Sequence, residues 1–189
     1  MFELLLPKVY KDQGMIEVVE QGIDAAIDQS AREARIHLPL TLREFPILSF
    51  GIFLKRPELL ETTAVDLLQA VNENSGSEHA HVQRLLLLEL MAMGMVFPSL
   101  FPRIAARRNV PHTYYVDWGT IALDLLADQT GDPAHAQRYR EAIQHFEDFV
   151  VILACMRPES IQQVLALREQ DANISSQELT MALSAFAYQ

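Results

Sequence analysis

Apolar residues recur along most of this chain at spacings of three and four, the period of an α-helix with one buried face. Ile16, Val19, Ile23, Ile27, Ala31 and Ala34 form such a stripe and predict a first helix from about Met15 to His37, stopped by Pro39. Residues 41–55 keep the helical pattern, and Pro46 and Gly51 within them predict a kink or a break. Pro57 suits the first position of the next helix, where a missing N–H does no harm, and Leu60, Ala64, Leu67, Leu68 and Val71 make its stripe. Ser77 is placed to cap a long helix running to Phe97. Beyond an irregular stretch around Pro98 and Pro102, helices are predicted over Tyr114–Gln129, from Asp132-Pro133 to Met156, and from Pro158. The last follows the capping box Ser175-x-x-Glu178. No segment shows a strand's alternation. The expectation is an all-α, compact bundle of seven to eight helices forming one domain over 1–189, with 1–14 as an extended arm.

The segment Leu85–Phe97 is hydrophobic on nearly all sides, which predicts a central helix surrounded by others. Glu89 and Pro98 interrupt the run, leaving it shorter than the roughly 20 residues a bilayer needs. Met91, Met93 and Met95 supply adaptable side chains, and a pocket is expected between this helix and the 132–156 helix, with His81 near its mouth. Glu89 is either buried with a raised pKa or on the helix's one wet edge.

Composition narrows the function classes. Half of the 189 residues are hydrophobic and 21% are charged, enough for a sizeable core and too apolar for global disorder. A net charge of −10 argues against nucleic acid or an anionic membrane surface as the main partner. Arg103, Arg107 and Arg108 form one local exception, read as a solvated helix end. The single cysteine, Cys155, forbids an internal disulfide and suits a reducing, cytoplasmic setting; its apolar neighbours mark it as a core residue. The N-terminal stretch has no basic region before its leucines and does not read as a signal peptide.

The chain has no P-loop, no dinucleotide glycine fingerprint, no nucleophile elbow and no cysteine zinc site. Helical acid–imidazole pairs remain. Glu33/His37 and Glu141/His145 are four apart and Glu78/His81 three apart, so each pair shares a helix face, as metal ligands in helical bundles do. Glu33/His37 reads as a surface pair at a helix end. Glu141, His145 and Asp148 lie well round from the stripe of Tyr139, Ala142, Ile143, Phe146, Val150 and Leu153, which favours a solvated face. His81 is different: Leu85, Leu88, Ala92 and Met95 continue its stripe, so it is expected to point inward.

One stretch carries a family resemblance. Residues 70–76 (AVNENSG) are followed by Ser77-Glu78-His79-Ala80-His81 and then the apolar Leu90–Met95 with Gly94. With the proline-bearing helices before it, the stretch from Phe45 to Met95 resembles the iron-containing redox enzymes of the haem-oxygenase-like superfamily. The resemblance implies a haem-oxygenase-like fold, non-haem iron, and Glu73 and His81 as ligands, with His79 an alternative. Glu141, His145 and Asp148 repeat the i, i+4, i+7 spacing of the family's late ligand helix with different identities, and Asn74 or Ser75 stands where the family has a second acid. Hard carboxylate oxygens and imidazoles suit oxygen-activating iron. Two function classes follow: an iron-dependent oxidoreductase acting on a small organic substrate, or a non-catalytic helical binding protein. The latter class covers an adaptor, an inhibitor or immunity-type partner, and an apolar-ligand carrier.

Overall fold

The computed structural model describes residues 16–187, and the arm expected over 1–14 lies outside them. Within the described residues the protein is all α, with ten α-helices and no strand, two or three helices more than the pattern predicted. They are α1 (Ile16–Glu33), α2 (Glu44–Lys55), α3 (Ala64–Glu73), α4 (Ala80–Leu100), α5 (Pro102–Arg107), α6 (His112–Gln129), α7 (Pro133–Gln144), α8 (Phe146–Ala154), α9 (Pro158–Gln170) and α10 (Ser176–Ala187). Short 3-10 turns at Leu40–Leu42, Pro57–Leu60 and Ser77–His79 connect some of them.

The axis of the molecule is α4. Every residue from Leu87 to Ser99 is buried, as the all-round apolar pattern predicted, and α2, α3, α6 and α8 pack around it. The helix does not stop before Pro98 but continues through it to Leu100. At 21 residues it is long and apolar enough to cross a membrane, yet its surroundings are the other helices of the fold. Its most extensive neighbour is α6, and the reason is a pair of glycines. A Cβ on Gly94 would stand 2.6 Å from the Gly119 Cα and 2.7 Å from the Tyr115 carbonyl oxygen, so the two backbones touch there. A Cβ on Gly119 would fall on the outer edge of the Phe146 ring. Phe146 in turn meets Phe149 edge-on at 6.4 Å, and Phe149 stacks on Phe45 at 6.0 Å, carrying the contact from α8 to α2. A smaller core of Ala34, Val151, Ala154, Cys155, Val164 and Leu179 holds α9 and α10 against α8 and the end of α1.

Local signals account for most helix ends. Asp132 accepts the Ala134 N–H at 2.9 Å, with Pro133 in the first turn of α7. Ser175 and Glu178 form the expected reciprocal cap, Ser175 N–H to Glu178 Oε2 at 2.9 Å and Glu178 N–H to Ser175 Oγ at 3.2 Å. Four boundaries differ from the pattern. The helix expected from Pro57 is split, because Thr63 and Asp66 make a second capping box that restarts the chain at α3. Residues 44–55 form one unbroken helix, since Pro46 lies in its first turn, where no backbone acceptor waits for its missing N–H. Ser77 opens a 3-10 turn instead of capping α4. The 132–156 helix breaks at His145 into α7 and α8, and the Asp148 carboxylate at 2.7 Å from His145 Nδ1 clasps the break.

The end of α1 is the least expected. Arg35 adopts the left-handed region at φ 55°, and its N–H reaches Arg32 O at 3.1 Å while Ile36 N–H reaches Ala31 O at 2.9 Å. This is the Schellman termination, normally built on glycine. It turns the chain back over α1 several residues before Pro39. Because a side chain in this region costs about 1 kcal/mol, Arg35→Gly should hold or raise stability by up to about 1 kcal/mol. Arg35→Val, β-branched, should lower it by about 1 kcal/mol or more. Urea midpoints of the two variants check the order, and a valine variant as stable as the glycine one would refute the strain.

Candidate functional site

The residues proposed as metal ligands lie on α3, α4, α7, α8 and the junction between the last two. Glu73 ends α3, is exposed, and accepts the Gln69 side-chain amide at 2.8 Å. His81 is exposed on the first turn of α4, contrary to the inward orientation expected from its stripe. The stripe is real, but full burial along it begins only at Leu88: Leu85 is half-buried, and His81 stands in solvent one turn before it, although Gln83 and Arg84 already bond Val71 and Tyr139. His79 and Glu78 are exposed beside it. Glu141 is half-buried and accepts Gln137 Nε2 at 3.1 Å. His145 and Asp148 come together, and among the described residues no group of three or more His, Cys, Asp or Glu side chains converges as metal ligands would.

The His145–Asp148 pair has a third member. Ser176 Oγ donates to Asp148 Oδ1 at 2.5 Å, so one carboxylate holds both the imidazole and the hydroxyl. A nucleophilic serine needs the imidazole as its base, with the carboxylate behind the imidazole. Here the carboxylate is in the middle and accepts the hydroxyl hydrogen itself. The arrangement joins the α7–α8 break to the first residue of α10 and activates no nucleophile. Cys155 is no alternative, since burial pushes its thiol up to about 12 and keeps it protonated.

Two buried carboxylates occupy the interior. Glu89 on α4 is 1% exposed, accepts a hydrogen bond from Arg56 Nη1, and has its second oxygen buried without a hydrogen-bond partner. Burial raises its pKa above the usual carboxylate range, opposed by Arg56 and reinforced by Glu58. Of the two states open to Glu89 in the sequence, the buried one is found. Glu44, at the start of α2, lies 3.0 Å from Arg138 Nη1 on α7, and burial again raises its pKa against the pull of that arginine. Next to Arg138, Tyr139 packs edge-on against Phe45 and its hydroxyl accepts Arg84 at 3.2 Å. Glu44 and its partners were missed in the sequence. The one signal was an acid at the first position of an apolar helix, which a favourable helix dipole explains equally well. These groups join α2 to α4 and α7.

From Leu87 to Ser99, α4 is closely packed. Leu87, Leu90, Met91, Ala92, Met93, Met95, Val96 and Phe97 are all 0% exposed, whereas a void able to admit water would leave part of their surface reachable. The methionines fill the space that the sequence suggested they would line.

An open concavity of about 600 Å³ lies between the last turns of α1 and the 34–43 segment. Its apolar lining comes from Ala31, Ile36, Leu38, Pro39 and Leu40, and Leu40 is 73% exposed. Arg32, His37 and Arg43 stand at its edge, with Asp28 pairing both arginines. Comparison with known proteins returns no match: no family model, no curated protein and no solved structure is similar to the chain.

Glu89 offers a check on its burial. A folded-state pKa above the usual 4.5 means that the folded protein holds a proton which the unfolded chain has already released. Its contribution is fully present below about 4.5 and is lost as pH rises through the folded-state value. Glu89→Gln, neutral at every pH, should therefore gain stability relative to the parent between about pH 4 and pH 7. Paired urea melts read the difference. A gap that stays constant with pH would place the carboxylate in water.

Proposed function

We propose that this chain is a non-catalytic helical binding protein that acts through its surface. The solid packing of α4 from Leu87 to Ser99 is the observation that carries the reading, because an enzyme or an enclosed carrier of this architecture needs a cavity between its helices. That no three His, Cys, Asp or Glu side chains among the described residues gather as ligands adds support, since iron ligands must approach one point to about 2 Å. The groove beside α1, with its exposed Leu40, is the part of the surface suited to a partner.

The test is metal analysis of protein purified after growth with added iron, together with oxygen uptake. Iron far below one atom per chain and no uptake above buffer are expected. Stoichiometric iron that disappears in Glu73→Ala or His145→Ala protein would replace this reading with the oxidoreductase.

A further inference from the structure

On the reading that the chain works by binding, we propose that the groove beside α1 receives an amphipathic helix of a partner protein, whose apolar side chains are flanked by carboxylates. The apolar part of the argument rests on Leu40. It is the most exposed large hydrophobic residue among those described, and it sits in the groove with Ile36 and Leu38 instead of standing alone. The shape is preformed: the Schellman bonds of Arg35 and Ile36 hold one side, and the Leu42 N–H to Pro39 O bond of 2.9 Å holds the other. Preformed grooves spare a partner the cost of ordering them.

Charge selects the partner. Arg32 and Arg43 line the groove against Asp28, an excess of one positive charge there on a chain of net charge −10. Asp28 is already engaged by Arg32 and Arg43, while the Arg32 side chain remains 68% exposed and so keeps donors facing outward. Carboxylates on the partner meet those donors, and basic partners are repelled. A helix fits better than an extended peptide, since no strand among the described residues presents an edge for strand addition. A small apolar acid fits less well, because the groove is open along one side and would leave much of such a ligand in water.

The experiment selects a displayed library of amphipathic helical peptides against the full chain, then measures the winners by fluorescence anisotropy. Leucine-rich sequences with flanking Asp or Glu are expected. Their binding should weaken about tenfold or more with Leu40→Asp and with Arg32→Glu, and should weaken with added salt. Both positions are exposed, and matching melting curves confirm that the variants fold. Winners without an acidic preference, or indifferent to both variants, would overturn the groove assignment while leaving the binding-protein reading intact. So would Leu40-dependent self-association with no peptide binding, or competition by laurate alone. Iron-dependent oxygen uptake would overturn the reading beneath it.

Discussion

Two backbones in contact organise this protein. Helices usually pack with their axes 8–10 Å apart, a distance that their side chains set. At Gly94 and Gly119 no side chains intervene, and α4 and α6 close on each other until the backbone of one fills the space a Cβ of the other would need. The Phe146 ring covers Gly119 and so places the start of α8 against the same crossing. Through Phe149 and Phe45 that placement reaches α2, and α2 then brings Glu44 to Arg138 and Arg56 to Glu89. At the crossing itself, helices this close leave no room for a cavity between α4 and α6.

The two buried ion pairs are consequences of the packing more than causes of it. Desolvation of a buried pair offsets much of its attraction, and the raised pKa values of Glu44 and Glu89 point the same way. Their positions at the two ends of α2 matter more. Glu44 sits in its first turn and Arg56 just past its last, so each charge also faces the favourable end of the helix dipole. A shift of α2 by one turn would leave both carboxylates buried without a cation. On the outside of the molecule, Leu40 stands exposed in a groove that Arg32 and Arg43 also line.

What could be read in the sequence was local. The all-α class, the central place of α4 and the caps at Asp132 and Ser175 depend on neighbours within a turn, and those signals are written in short spacings. The end of α1 was not legible, because a left-handed arginine replaces the glycine that marks such turns. The break at His145 was not legible either, since the stripe on both sides belongs to one continuous pattern. The candidate site asked more of the sequence than spacing can give. Helical spacing says which residues share a face, and it was right that His81 shares one with Leu88 and Met95. It does not say where along a helix its neighbours end, and His81 lies on the exposed first turn of α4. Gly94, noticed only as part of a family pattern, is the residue on which the packing turns.

The contact between α4 and α6 can be tested by comparing two glycines in one background. Gly51 lies in α2 with nothing within 4 Å of a Cβ, so alanine there should raise stability by about 0.5–1 kcal/mol through helix propensity. Gly94→Ala should do the reverse and cost about 2–3 kcal/mol, because its methyl group meets backbone that cannot move aside. Denaturant midpoints of the two variants decide the matter: opposite signs are predicted, and a Gly94→Ala protein as stable as the parent would contradict the account.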